Sequence, residues 1–309
     1  MAKARLSLVL SDFAIFFANE LNRGLVPVTV NRCLNKARFR ADTSPYYRSL
    51  LYLFADNKLE DADLPLAALR GGSQLSLCAD PCYLHPDRDQ LLLFYRDLDL
   101  TLEEAKAFGL RIQPLFDDFK ASLSIQEADS WLLECEQLPA LQLTAKEGLN
   151  GRAVSDHLPR GKDAPDWVRL WNEIQMLLFD CPENQAREAA GKVPINSVWF
   201  WGKGHEPVWR SWPHVSGEAP LLQKLAAESG SVHQHGISEF SQVRARQALH
   251  VINFNPDDDW DRQWEVLAQN WLIPAMRALR QWRLHELKLI IPEWGDYTLT
   301  PFSSWRFWR

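Results

Sequence analysis

The chain of 309 residues is 46% hydrophobic and 24% charged, with a formal net charge of −6 at pH 7, which suits one large α/β domain or two smaller ones with ample core. The acidic balance argues against a nucleic-acid partner, and no run approaches the roughly 18 apolar residues needed to cross a bilayer. Five cysteines, scattered at 33, 78, 82, 135 and 181, fit a reducing cytoplasm better than a disulfide framework. Fourteen tryptophans make aromatic packing a theme of the fold. The start, MAKARLSLVLSDFAIFF, is interrupted by Ser11-Asp12 and lacks a small-residue cleavage site, so no signal peptide is expected and the expected location is cytoplasmic.

In chain order, Leu6–Leu10 reads as a first buried strand and Val28–Val30 as part of another. Ser49–Ala55 is an apolar run leading into LEDAD and then LPLAALRGG. Gln90–Tyr95 reads as a buried strand, and Thr101 with Glu104 forms a capping box that opens a helix. Trp131–Cys135 is expected to pair, as a strand, with Gln142–Thr144. The clearest helix covers residues 165–180, where Trp167, Leu170, Trp171, Ile174, Leu177 and Leu178 recur at the helical period. Asp163 is available to cap it, Pro165 lies near its first turn, and Cys181-Pro182 breaks it. A short helix from Pro182 to Gly191 follows, and PINSVWFWGKG then drives an apolar strand into a glycine pair. Ala248–Phe254 is a further strand, running into NPDDDW. Asp257–Asp259 lead into a long helix bearing Trp260, Trp264, Leu267 and Trp271, which Pro274 should kink or divide. Leu287–Ile291 and a last strand after EWGD complete an alternation that predicts an α/β fold with a mainly parallel sheet flanked by helices. With no repeat or low-complexity linker, a single α/β unit over residues 1–309 is expected, with a possible subdomain at 75–205.

Ligands gather at the carboxyl ends of parallel strands, and Gly202-Lys203-Gly204, followed by His205, sits where backbone N–H groups could converge on an anion. A plain turn using glycine for positive φ explains the same residues, and the pattern is neither a P-loop nor a dinucleotide fingerprint. Asn184, Arg187 and Asn196 flank this strand. Arg187 offers a planar fork for carboxylate or phosphate, or ties a loop to carbonyl groups. Asp257–Asp259 suit a helix N-cap better than a hard-cation site, and His233 and His235 suit a surface loop better than a metal. Cys78 and Cys82, in CADPC, are spaced one residue wider than CxxC and read as ordinary thiols. Ser11 and Ser44 lack a nucleophile-elbow context.

The segment from Asp156 to Gly204 resembles the archaeal-type cofactor-independent phosphoglycerate mutases, through Pro182, Asn184, Arg187, Gly191, Asn196, Gly202 and Gly204, with Cys181 where that family usually has His. It is most similar to a bacterial offshoot, the RpfE-type regulatory proteins, through Asn196–Gly202 and the tail Trp305–Arg309. The resemblance implies the alkaline-phosphatase-like fold in reduced form, with residues 75–205 corresponding to the inserted domain of the mutases. That group holds two metal ions with Asp and His at strand ends and transfers a phosphoryl group through a Ser. Here the family's first glycine-rich acidic motif is missing beside Asp12, and the nucleophile segment falls on ADTSPYYRSLLYL, around Thr43 and Ser44. Trp260 stands where a ligand His is expected, and Glu293-Trp294 stands for the late Asp-His pair. The substrate-handling motif keeps Asp156 but ends in Arg160.

These departures imply a phosphoglycerate-mutase-like protein without catalysis, metal or cofactor, in a regulatory or small-anion-binding role. Asp156, Arg160, Asn184, Arg187, Asn196, Gly202, Lys203 and Gly204 form the candidate ligand-binding set, and catalytic residues stay unassigned. A small phosphorylated or carboxylate ligand is expected, without nucleic acid or membrane; a protein partner or homodimer is left open. Two alternatives stand beside this: a working mutase or phosphatase with substituted ligands, and an interaction module using a Trp-rich surface.

Overall fold

The computed structural model describes residues 4–56, 63–203, 206–255 and 258–304. The chain divides into two compact units, one made of Met1–Asn57 with Val208–Arg309 and the other of Lys58–Pro207. A single unit with a possible subdomain at 75–205 was the expectation from sequence.

The first unit is α/β. Its seven-stranded sheet has the order His233–Gln234, Val215–Ser216, Gln247–Asn253, Arg5–Ser11, Glu286–Ile291, Gly295–Leu299 and Arg38–Ala41. The first five run parallel, and the last two join antiparallel at one edge. Arg5–Ser11 is central, so both its faces are covered, and Leu6, Leu8, Val9 and Leu10 are all buried. Leu6, Leu8 and Leu10 lie in one core with Phe13, Phe17, Trp264, Trp271, Leu287 and Leu289. Val28–Val30, expected in a strand, instead begins the helix Val28–Leu34. Pro27, at its N-cap, and the buried Val30, Cys33 and Leu34, at helical spacing, outweigh the β-branched preference there.

Pro274 does divide its helix. An α-helical turn at Trp260–Val266 passes into a π-helical stretch, Leu267–Leu272, before α-helix resumes at Ile273–Arg280. Proline has no N–H to donate and crowds the carbonyl four residues back, and the wider turn accommodates both defects.

The second unit is built on an antiparallel sheet. Its spine is the twelve-residue strand Ser76–Asp87, which pairs with Ser130–Cys135 at its start, Ser197–Trp201 in the middle and Gln90–Phe94 at its end. The strand carrying Trp199, Phe200 and Trp201 therefore lies in an antiparallel sheet. The expected carboxyl end of a parallel sheet is not its setting. Gln90–Phe94 is a strand, but only Leu93 within it is buried. Ser130–Cys135 pairs with Ala121–Glu127, whereas Leu141–Gln142 pairs with Arg160–Gly161, so the expected partnership with 142–144 does not form. The helix Ala164–Phe179 lays Trp167 edge-on to Phe200, at 5.0 Å between centroids, and Trp171 edge-on to Trp199 at 6.4 Å. Thr101 and Glu104 form the expected capping box.

Of the twelve tryptophans among the described residues, only Trp282 is exposed, so aromatic content goes chiefly to the cores of the two units. No described helix is long and apolar enough to cross a membrane.

Candidate functional site

In the first unit the carboxyl ends of the central strands are where a parallel sheet presents ligand-binding groups. Ser11 and Asn253 close two of them and are joined by a hydrogen bond of 2.8 Å from Ser11 Oγ to Asn253 Oδ1. Asp12 follows with φ 55° and an exposed side chain. The segment around Ser44 does meet the Glu293-Trp294 pair, since Glu293 N donates to Ser44 O at 2.9 Å. Ser44 N in turn donates to Asp42 Oδ1 at 2.9 Å.

Aromatic rings fill the space beside these groups. Trp260 stacks on Phe16 with centroids 3.4 Å apart and planes 9° from parallel, and it also lies parallel to Phe254 at 6.0 Å. Trp294 stands edge-on to Phe17 at 5.4 Å, and its Nε1 donates to the Tyr297 hydroxyl at 3.2 Å. Phe13 packs against Phe254 and Trp264 at 4.4 and 5.1 Å. An indole offers an N–H donor and no lone pair to a metal. Among the described residues no three His, Cys, Asp or Glu side chains gather as a metal ion requires. Among the described residues, the donor set does not fit a two-metal centre. Asp259 instead caps the following helix, accepting from the Asp261 and Arg262 amides at 3.0 and 3.4 Å, while Asp257 lies outside the described residues.

A second polar thread in this unit escaped the sequence reading. Ser216 Oγ lies 2.8 Å from His250 Nδ1 and 3.2 Å from His214 Nε2, with all three residues buried. His250 also stacks on Trp271 at 4.0 Å. Burial, and then the charge of His214, push the His250 pKa down to about 3, so its imidazole is neutral at physiological pH. His233 Nε2 donates to Gly217 O at 3.0 Å, and its ring meets His235 edge-on at 4.5 Å.

In the second unit, the residues around Gly202 explain why the apolar strand ends in glycine. Gly202 has φ 80°, and a Cβ there would sit 2.7 Å from Cys78 Sγ. Its N–H donates to Asp63 Oδ1 at 2.7 Å and the Lys203 N–H donates to Asp63 Oδ2 at 3.1 Å. The two amides thus converge on an anion, and the anion is the protein's own carboxylate. Burial raises the Asp63 pKa to about 6 even though the amides of Gly202, Leu64 and Lys203 favour its charged form. Lys203 Nζ donates to Pro139 O at 3.1 Å, and a pocket of about 300 Å³ opens beside it, lined by Ser73, Ser76 and Glu206 among others. Gly204 lies outside the described residues.

The other candidate residues fall into separate places. Asn184 donates from Nδ2 to Leu178 O and Ile195 O at 2.7 and 2.9 Å and accepts from Ile195 N at 2.8 Å. Arg187 is fully buried and donates to Val193 O, Leu98 O, Asp99 O and Glu104 Oε1, at 2.9 Å for the last. Asn196 exchanges two hydrogen bonds with the Leu84 backbone, 2.7 and 2.9 Å long. Asp156 and Arg160 are exposed neighbours, joined by an Arg160 guanidinium bond to Asp156 O of 3.1 Å. Asn184 and Asn196 therefore clasp backbone and Arg187 clasps backbone together with the Glu104 carboxylate, whereas the Gly202 and Lys203 amides bring two donors together on one carboxylate.

Asp80, inside CADPC, is a fully buried charge with four donors around it. Oδ1 accepts from Arg70 at 2.7 Å and Trp131 N at 3.1 Å; Oδ2 accepts from Lys146 Nζ at 2.6 Å and Trp201 Nε1 at 2.8 Å. Both cations also lie over the Trp201 ring, at 5.3 and 5.5 Å. An Asp within an otherwise apolar run is a sequence signal of a buried, paired charge. Cys78 beside it is a buried thiol whose pKa burial raises to about 12.

No family model matches the chain. A stretch of 59 residues is 39% identical to a probable 2,3-bisphosphoglycerate-independent phosphoglycerate mutase of Geobacter sulfurreducens, covering 19% of this chain and 15% of that protein. A stretch of 64 residues is 38% identical to a 2,3-bisphosphoglycerate-independent phosphoglycerate mutase of Methanothrix thermoacetophila, covering 21% and 16%. The chain thus matches less than a fifth of the length of these two curated relatives. The solved structure of a cofactor-independent phosphoglycerate mutase from Thermoplasma acidophilum superposes over 96% of this chain and 90% of its own, with 12% identity and a TM-score of 0.41. In sequence, this chain is a distant and partial homologue of the 2,3-bisphosphoglycerate-independent phosphoglycerate mutases.

Proposed function

We propose that this chain is a non-catalytic relative of the phosphoglycerate mutases, with a regulatory role exercised through a small phosphorylated or carboxylate ligand. The observation that carries the proposal is the aromatic packing at the carboxyl ends of the parallel strands, where Trp260 lies on Phe16 and Trp294 against Phe17. Metal-assisted phosphoryl transfer needs oxygen or imidazole ligands that neutralise charge and position a nucleophile, and these rings supply neither. Ligand binding is supported by the amides of Gly202 and Lys203, which select a carboxylate with two parallel donors. An external anion takes this seat only by displacing Asp63. The RpfE-type resemblance of Asn196–Gly202 and a cytoplasmic location belong to the same proposal.

The test is an assay of the purified protein for interconversion of 2- and 3-phosphoglycerate with added manganese, together with elemental analysis. No turnover above background and no stoichiometric metal are expected. Mutase-like turnover, or bound metal near two ions per chain, would overturn the proposal.

A further inference from the structure

On the first unit, three exposed arginines fall within seven residues of chain around Trp282, whose ring meets that of Phe302. The helix Ile273–Arg280 ends with Arg277 and Arg280, and Arg283 lies just beyond it. All three are exposed, and none makes a salt bridge or side-chain hydrogen bond among the described residues. Arg277 and Arg280 complement the negative end of the helix, but Arg283 is past it, and the rest of the chain is acidic enough to bring the net charge to −6. Between these cations Trp282 is 50% exposed and holds a left-handed φ of 59°. That conformation strains a bulky residue and would suit glycine, and the ring gains little burial in return. Its neighbour is Phe302, 75% exposed, with the two rings edge-to-face at 5.1 Å and 89°.

We propose that this patch docks an acidic segment of a protein partner, its carboxylates on the three guanidinium forks and an apolar side chain in the corner between Trp282 and Phe302. Charge complementarity selects the partner: the forks match carboxylates in pairs, and Trp and Arg are the residues most often found at the energetic centre of interfaces. Three arginines within seven residues suffice for a short acidic peptide. They do not form the long basic track that a nucleic-acid strand follows, nor the larger polybasic cluster that holds a membrane surface.

The experiment measures fluorescence anisotropy of a labelled peptide that carries glutamates around a single leucine, with the full chain. Salt-sensitive binding is expected, weakened about tenfold or more by the combined Arg277→Glu, Arg280→Glu and Arg283→Glu substitutions. Trp282→Gly should weaken binding by about tenfold while leaving the melting temperature unchanged or raised, since glycine accepts the backbone conformation without strain. Arg169→Gln, at an exposed arginine of the other unit, should leave binding intact. Absence of peptide binding, or binding unaffected by the Trp282 and arginine changes, would overturn the proposal. So would tighter binding, through the same residues, of a single-stranded oligonucleotide or of phosphatidylserine vesicles.

Discussion

The indole Nε1 of Trp201 donates to Oδ2 of Asp80 across 2.8 Å, tying the last aromatic of the apolar strand to a fully buried charge. The carboxylate has four donors, so the pair is satisfied only while Arg70 and Lys146 are also in place. Asp80→Ala should cost about 3–5 kcal/mol, because it strands two largely buried cations. Trp201→Phe, which removes one donor and keeps most of the ring, should cost about 1–3 kcal/mol. Urea unfolding of the two variants checks the order. Burial by itself would raise the Asp80 pKa, but Lys146 and then Arg70 hold it at about 2. Its contribution is therefore present above pH 3.8 and is lost only as the pH falls through about 2.

Two other groups set the pH response in milder acid, with opposite signs. The folded pKa of His250, about 3, is below its usual 6.5, so the unfolded chain takes up the proton first. The stability it contributes is complete above pH 6.5 and is lost as the pH falls toward 3. Asp63, raised to about 6, works the other way: its contribution is complete below pH 3.8 and is lost as the pH rises through 6. Thermal melts between pH 4 and 7 should show His250→Gln flattening the loss in acid and Asp63→Asn steepening it. A profile unchanged by either substitution would refute the assignment.

Gly202→Ala should destabilise by about 2 kcal/mol or more, from the positive φ together with the clash against Cys78 Sγ. In the background of Cys78→Ala the clash is relieved and the backbone strain is not, so part of the cost should return. A double-mutant cycle by denaturant melts measures that part.

Arg187→Lys should be nearly as damaging as Arg187→Ala, at about 3 kcal/mol or more. A lysine cannot supply the planar set of donors that reaches Leu98, Asp99, Val193 and Glu104. If Arg187 instead held a ligand, the variants would retain wild-type melting temperatures and lose only binding.

Removing the internal anion tests the seat at Gly202 and Lys203. Asp63→Ala frees both amides, and inorganic phosphate should then bind measurably tighter than to the wild-type chain in isothermal titration. Equal or weaker phosphate binding would count against those amides as an external anion site.

Periodicity made the large elements legible: the Trp-bearing helix, the capping box at Thr101, the central strand Leu6–Leu10 and the break at Pro274 all follow local rules. Strand pairing was not legible, because Trp131–Cys135 meets partners chosen by tertiary context and the spine strand shares three neighbours along its length. At the site, glycine before Lys203 signalled converging amides, but not that Asp63 would occupy them from 139 residues away. Asp80 carried a readable signal, a charge inside an apolar run. Arg70 and Lys146 carried none, since no spacing rule joins them to Asp80.

The insertion of Lys58–Pro207 into the other unit has a consequence for synthesis. Arg5–Ser11 is translated well before both of its neighbours, Gln247–Asn253 and Glu286–Ile291. At ordinary elongation rates that delay is on the order of 10 s or more, during which an apolar strand destined for the centre of a sheet has no ladder to join. The inserted unit, contiguous in sequence, can complete its own spine meanwhile. Nascent chains arrested before residue 247 should therefore hold a protease-resistant insert beside a first strand that recruits chaperones.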